Sequence, residues 1–544
     1  MANINWTKVD EVTTVWTEAP APIRAGLYFR TGRVDETLAT SGQTHLIEHM
    51  SLSAVSDYQP QHNGLVGGVF TGFFTLGGPH EVSNFLARVC DALGSLPGDR
   101  LDEEKQILAA ESAARQYDSR TNMLTWRYGA SGYGLIGLPE LGLQKVTLEQ
   151  LRNYAAQRFT SENAILWLSG PLPDDLRLGL PHGTKLPIPP ITPIPRALPG
   201  WFGDDRCGGI AVGATVPRIF AATIFCEIAS KRLLKRLRLD QAISYAPSVF
   251  YEPLNADTAH LVLYADSETA HRVELVNIFG EIFEGLGDIE DAEVEAARSK
   301  IIEHQLGSLA PSPADISVLE VQRAAMDWIM GGKFEPLETF SAQYRSVTAG
   351  DIAKLVGDMQ TTAMFVLPAE VPVLPCFGRR LSVSKGPAVN GQTVINLDAP
   401  IIQEQLVYGP NGVSYLWPNG SHSTVRYSDL AAVLCYKDGG IRLIGTDAAT
   451  IMIEPTIWRD GQSICLNICK QVPAQLLIDQ PARPENIIPK PTTTHWQRFR
   501  ARLKQTYLGP NGRLQKIPKI IYWIIFAATL IGFIWLILIG LFYK

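Results

Sequence analysis

Cysteine is scarce and follows no pattern. Seven residues (Cys90, Cys207, Cys226, Cys376, Cys435, Cys465, Cys469) are scattered over 544 positions without a Cys-x-x-Cys pair. That argues against a disulfide framework or a thiolate metal knuckle, and predicts reduced thiols in a cytosolic compartment. Cys465 and Cys469, four apart, read as one face of a packed helix. Nor does one sign of charge dominate. Lys and Arg number 48 against 54 Asp and Glu, a net charge of −6, so the chain lacks the electrostatic footprint of a nucleic-acid binder. The N-terminus, beginning Met1-Ala-Asn-Ile-Asn-Trp, has no basic region followed by an apolar run, which predicts no secretory signal.

One long apolar run is present, at the other end. Ile520 to Tyr543 is twenty-four residues without a charge. As a helix it spans roughly 36 Å, enough for a hydrocarbon core of about 30 Å. Arg498, Arg500, Arg502, Lys504, Arg513, Lys516 and Lys519 precede it, and only Lys544 follows. By the positive-inside rule this predicts a tail-anchored, single-pass membrane protein with residues 1–519 in the cytoplasm. Trp496, Phe499, Leu503 and Tyr507 interleave with the arginines. Residues 495–508 therefore read either as an amphipathic helix on the anionic inner leaflet or as a solvated basic linker.

The chain is organised around Gly42-Gln43-Thr44-His45-Leu46-Ile47-Glu48-His49, of the form H-x-x-E-H. On a helix His45 and His49 share one face, so two imidazole nitrogens can meet one metal ion. Glu48 lies within reach of a water held there. Two neutral nitrogen ligands, an open position for water and an adjacent base are what zinc hydrolysis needs. A pattern this short also arises by chance. The following segments bear on the choice. His80 to Leu96 reads as an amphipathic helix, and a second helix starts at about Asp102. That helix carries Glu104 and Glu111, seven apart and on one face. Glu111, 62 residues after His49, is a candidate third ligand, and Glu104 a carboxylate placed behind the ligands to orient them. The alternative is that both are solvated charges on a surface helix.

The order of a strand at 22–31, Gly-x-x-His-x-x-Glu-His, a Gly-rich extended segment at 64–77, a helix, then Glu104-Lys-Gln-Ile-Leu-Ala-Ala-Glu111 resembles the pitrilysin/insulinase family of inverzincin zinc metallopeptidases, which includes the mitochondrial processing peptidase. Tyr133-Gly-Leu-Ile-Gly-Leu-Pro-Glu-Leu through Thr147-Leu-Glu-Gln-Leu-Arg-Asn-Tyr154, and Phe159-Thr-Ser-Glu-Asn-Ala-Ile-Leu-Trp-Leu-Ser-Gly170, are similar to it as well. The resemblance implies zinc held by His45, His49 and Glu111, and Glu48 as the base that takes a proton from the attacking water. One departure stands out. After Met50 the family continues with an aromatic, a Gly-Thr turn and a further helix, whereas here Ser51 runs quickly to Asn63, shortening one wall of the cleft.

Beyond a proline-rich linker at 185–200 the pattern partly repeats. A strand at 208–216, a helix at 219–238, strands at 245–253 and 258–265, and helices at 269–286 and 290–307 suggest a second α/β half. It has no H-x-x-E-H. It does carry Arg238 and Tyr245, seven apart, which look like the family's Arg/Tyr pair that binds substrate and stabilises the oxyanion across from the metal. The alternative is a surface Arg and a packed Tyr. One chain supplies half a clamshell, so the resemblance implies a homodimer, or a heterodimer with a related subunit, in which Arg238 and Tyr245 face the other subunit's zinc.

The likeness covers about residues 20–370. From 372 the chain reads as short strands (380–384, 392–396, 405–408, 412–417, 423–427, 430–436, 440–444, 449–453) with turns such as Pro418-Asn-Gly420 and Lys437-Asp-Gly-Gly440. The expected architecture is α+β: a zinc-binding half at 1–184, the linker, a second half at 201–371, a small all-β domain of pleckstrin-homology-like character at 372–480, a linker and basic segment at 481–519, and a transmembrane helix at 520–543. The expected function is a membrane-anchored zinc endopeptidase acting on peptides or unfolded segments. An inactive membrane-bound scaffold or partner subunit is the alternative, and a lipid-binding role for 372–508 is compatible with either.

Overall fold

The computed structural model describes residues 4–501 apart from 56–60, 115–117, 307–312, 369, 384–385 and 495. The first half runs β1 (Asn5–Val9), β2 (Val12–Trp16), β3 (Ile23–Phe29), α1 (Gln43–Ser53), β4 (Gln61–Val66), β5 (Thr71–Gly77), α2 (Pro79–Gly94), α3 (Leu101–Ala114), α4 (Ser119–Tyr128), α5 (Leu148–Arg158) and β6 (Ala164–Leu168). The strands form one sheet in the order β1-β2-β6-β3-β5-β4. β6, Ala-Ile-Leu-Trp-Leu, is buried throughout, as a central strand covered on both faces should be. On one face Leu27, Phe29, Leu166 and Leu168 pack with Leu46, Ile47, Phe85 and Val89 of α1 and α2. The apolar period of α2 (Val82, Phe85, Leu86, Val89, Leu93) is the stripe that makes this contact.

The second half runs β7 (Gly200–Gly203), β8 (Gly209–Pro217), α6 (Phe220–Leu233), β9 (Ser248–Pro253), β10 (Thr258–Asp266), α7 (Arg272–Glu284), α8 (Asp291–Leu306), α9 (Pro313–Ile329), α10 (Leu337–Ser346), α11 (Ala349–Thr361), β11 (Met364–Leu367) and β12 (Arg379–Arg380). Its sheet order, β7-β11-β8-β10-β9, repeats β2-β6-β3-β5-β4 strand for strand. In both halves the first pair is parallel and the others antiparallel. The halves differ at one edge, where β1 flanks β2 antiparallel and β12 flanks β7 parallel.

Each half lends a helix to the other. Val321, Ala324, Ala325 and Ile329 of α9 pack on Val15, Tyr28, Ile165 and Trp167 of the first sheet. Met123 of α4 packs on Phe202, Ala211 and Val262 of the second, and Trp126 stacks on Phe202 at 4.4 Å. Burying side chains of this size contributes about 1.5–3 kcal/mol each, so the exchange joins the halves into one body. Buried Arg127 donates to the carbonyls of Gly213 at 2.7 Å and Thr362 at 2.9 Å. The linker lies along this junction, with Ile188 and Ile191 against the shared core and the Ile194 N–H donating to Arg127 O at 2.8 Å.

The region after 372 differs from expectation in two respects. Arg379 and Arg380 pair with β7, so the first strand assigned to the β domain belongs to the second sheet instead. The domain is also not all-β. β13 (Gln392–Ile395), β14 (Gln405–Gly409), β15 (Gly412–Leu416) and β16 (His422–Arg426) form one four-stranded sheet. β17 (Leu430–Tyr436), β18 (Ile441–Gly445) and β19 (Thr450–Ile453) form another, completed by β20 (Leu477–Gln480) parallel to β17. Between β19 and β20 lies α12 (Gly461–Gln471), whose Ile464, Cys465 and Ile468 enter the core around Trp458. The domain is docked rather than hung from a spacer. Ala432, Leu434 and Ile444 pack against Leu38 and Ala39, just ahead of α1, and against Leu135.

At the end of the described chain, Asp398 accepts from the N–H of Thr492 at 2.8 Å, and residues 496–501 are helical. Trp496 and Phe499 stack at 5.7 Å and are exposed. The apolar run 520–543 and the basic stretch 502–519 lie outside the described residues. Among the described residues no helix is long and apolar enough to cross a membrane.

Candidate metal centre

Three irregularities in the sequence around α1 build the site. Gly42 precedes the helix with φ +95°, a left-handed conformation that favours glycine. A Cβ there would press on Leu143 Cδ2 at 2.7 Å and Glu140 Cβ at 2.9 Å. Glu36 then caps the helix, accepting from the N–H groups of Gly42 at 2.9 Å and Thr44 at 2.7 Å. Burial pushes its carboxyl up to about 7, against the pull of those hydrogen bonds. Third, α1 stops at Ser53 and β4 begins at Gln61. The edge strand β4 lies against the helix.

From this frame the His45 and His49 rings stand with centroids 4.8 Å apart and nearly perpendicular. α3 delivers Glu111 to both. Its carboxylate oxygens lie 4.0 Å from His45 Nε2 and 3.8 Å from His49 Nε2. One donor atom from each of the three residues lies within 4.8 Å of the others. Ligands about 2.0–2.1 Å from a tetrahedral zinc ion stand about 3.4 Å apart, so the Glu111 oxygens close on the two rings by about half an ångström and the widest pair of the set by at most about 1.4 Å. Glu111 is 45% exposed and on a helix with few buried residues, which gives it room to make that adjustment.

The far ring nitrogens are held by carboxylates. His49 Nδ1 donates to Glu104 at 3.2 Å, and Arg100 donates to the other oxygen of Glu104 at 3.1 Å. His45 Nδ1 donates to both oxygens of Glu140 at 3.1 Å. A carboxylate accepts only, so both protons sit on Nδ1 and both Nε2 lone pairs face Glu111. Sequence reasoning missed Glu140. Its signal is a lone acid in the apolar stretch Gly137-Leu-Pro-Glu-Leu141, where an acid that is 7% exposed needs a partner.

Glu48 is 4% exposed, with an oxygen 3.8 Å from His49 Nε2. Burial raises its carboxyl above the usual range, and the nearby histidines oppose that rise. These residues line a cleft of about 710 Å³, with Arg33, Arg100 and Leu65 on its walls. One wall is β4, the outermost strand of its sheet.

Arg238 and Tyr245 come together elsewhere. The chain passes from α6 into a π-helical segment, Leu234–Asp240, and Arg238 lies 5.0 Å from the Tyr245 ring centre. Tyr245 is 77% exposed. Neither residue lines the cleft of the same chain that holds His45, His49 and Glu111.

No family model matches the chain, and no curated protein matches it in sequence. Solved structures do. The chain is similar to a protease from Helicobacter pylori at 16% identity, covering 67% of this chain and 99% of that one with a TM-score of 0.54. It is similar to a peptidase M16 inactive domain from Pseudomonas fluorescens at 15% identity, covering 68% and 98% with a TM-score of 0.53. It is similar to the first half of the periplasmic protease PqqL from Escherichia coli at 14% identity, covering 69% and 92% with a TM-score of 0.53. Against full-length PqqL it covers 81% of itself and spans 57% of the longer protein. At such identities the likeness is one of architecture, and it includes an inactive domain as well as proteases. The chain has the mixed α/β fold of the peptidase M16 structures, with additional β-sheets after the second half.

Proposed function

We propose that this protein is a zinc endopeptidase that hydrolyses peptides or short unfolded segments. The observation that carries the reading is the convergence of His45 Nε2, His49 Nε2 and a Glu111 oxygen on one point, each histidine backed by its own carboxylate. Zinc bound there supplies a Lewis acid that polarises the scissile carbonyl and acidifies water. Glu140 and Glu104 hold the two rings in the tautomer that offers Nε2, and make both nitrogens better donors.

Glu48 is the base. Its buried carboxylate takes a proton from the attacking water and passes it to the departing amine, so one water is consumed per peptide bond broken. β4 orients the substrate. Its outer edge is unpaired among the described residues, and an extended peptide can add to it as a further strand, its carbonyls fixed by main-chain hydrogen bonds. A folded domain cannot offer such a strand, which restricts substrates to peptides and unfolded segments.

The oxyanion that develops at the attacked carbonyl needs a donor. We assign this to Arg238 and Tyr245 of a second subunit, a copy of this chain or a related one. The support is their exposure as a preassembled pair away from their own cleft. In a homodimer, mixing Glu48→Gln subunits with Tyr245→Phe subunits should restore activity in the hybrid, and no recovery speaks against the shared site. Anchorage of a cytoplasmic catalytic part by residues 520–543 completes the proposal. It is supported by the uncharged apolar run and the basic residues before it, and by exposed Trp496 and Phe499 at their start.

The inactive-scaffold reading draws on the likeness to an inactive domain. A scaffold has no use for two buried carboxylates trained on paired imidazoles, so we prefer the enzyme. Cleavage of a quenched unstructured peptide should stop on chelation and return with zinc. Turnover indifferent to chelator removes the assignment. Glu140→Gln should lower zinc affinity by about 10–100-fold, read by competition with a chromogenic chelator.

A further inference from the structure

Two thiols outside the metal centre meet in the β domain. Cys435 on β17 and Cys469 on α12, 34 residues apart, have their sulfurs at 3.8 Å. Both are partly accessible, whereas Cys90, Cys207 and Cys465 are buried. We propose that Cys435 and Cys469 form a reversible disulfide-exchange site that reacts with low-molecular-weight disulfides of the glutathione class.

The geometry suits closure. A disulfide bond is about 2.05 Å long, so the sulfurs need approach by only about 1.8 Å, within the range of side-chain rotation. β17 is hydrogen-bonded on both sides, to β18 and β20. α12 is anchored by Ile464, Cys465 and Ile468. The pair therefore cannot drift apart. The chemistry suits it too. The contact between the two sulfurs couples the thiols, lowering that of Cys469 and raising that of Cys435. Burial pushes Cys465 up to about 12, leaving it unreactive.

Cys469 thiolate attacks one sulfur of the small disulfide, forming a mixed disulfide and releasing one thiol once a proton is taken up. Cys435, giving up its proton, attacks the Cys469 sulfur and releases the second thiol. Two protein thiols are oxidised to one disulfide and one small disulfide is reduced to two thiols. Three residues after α12, the Ala474 carbonyl accepts from Lys145 Nζ at 2.6 Å, and Leu477 accepts from the same nitrogen at 3.0 Å. The bridge thus closes beside a point where the β domain grips the catalytic half.

The test is treatment of the full chain with oxidised glutathione, followed by alkylation, digestion and mass spectrometry. The expected result is a Cys435–Cys469 cross-linked peptide, a loss of two titratable thiols, and reversal by dithiothreitol. Cys435→Ser should instead trap glutathione on Cys469, and Cys465→Ser should still cross-link. A bridge from Cys465 to Cys469, glutathione accumulating at other cysteines, or no thiol loss in the wild-type protein would overturn the proposal.

Discussion

Glu48→Gln is expected to lower the rate of peptide hydrolysis by about 10²–10⁴-fold, the usual contribution of a positioned general base, with zinc content unchanged. The amide has the shape of the carboxylate it replaces and fits the same buried position, 4% exposed beside His49. It cannot accept the proton of the attacking water. Because Glu48 is not one of the three converging ligands, the variant separates proton transfer from metal binding. The loss should fall on kcat, since the β4 edge proposed to bind substrate is untouched. A variant that keeps its rate while binding zinc would remove Glu48 from the chemistry.

An effect of similar size is expected from a methyl group on the opposite wall. In Gly64→Ala the new Cβ would overlap Glu48 Oε1 and lie 2.6 Å from its Cδ and 2.9 Å from its Cγ. Glu48 cannot retreat, because its helix packs through Leu46, Ile47 and Met50 into the core of the first half. Either the carboxylate is turned away from the metal or β4 is pushed outward, and both disrupt the reaction. Displacement of the base and distortion of the strand edge predict a fall in kcat of about 10²-fold or more, accompanied by a rise in KM. The substituted protein should keep its thermal stability to within about 1–3 kcal/mol, the usual cost of an extra methyl in a packed site. Wild-type kinetics in Gly64→Ala would show that β4 does not lie over Glu48.

How much of this was readable in the sequence depends on the range of the interaction. His45, Glu48 and His49 sit on one helix, and Glu104 and Glu111 on one face of another, so helical spacing alone groups them. Glu140 is different. It meets His45 across 95 residues, from a short irregular segment with no periodicity to mark it. Gly64 likewise shows its role only once β4 lies over α1. The β domain's strands were legible because Asn-Gly and Asp-Gly turns separate them. The β1–β2 hairpin was not, since its turn places Asp10 and Glu11 at φ 45° and 65°, where Asn-Gly would have announced it. Nothing local marks Arg379–Arg380 as an edge of the second sheet either, because that pairing is made with β7, far back in the chain. The exchange of α4 and α9 between the halves is a long-range event, and periodicity predicts each helix without saying which sheet it covers.

The most direct measurement is anomalous scattering at the zinc absorption edge from crystals of the zinc-loaded protein. One peak per chain is expected, about 2.0–2.2 Å from His45 Nε2, His49 Nε2 and a Glu111 oxygen, with Glu48 within hydrogen-bonding reach of the remaining position. A zinc-saturated crystal with no peak between those side chains, or with Glu111 turned away from it, would contradict the account.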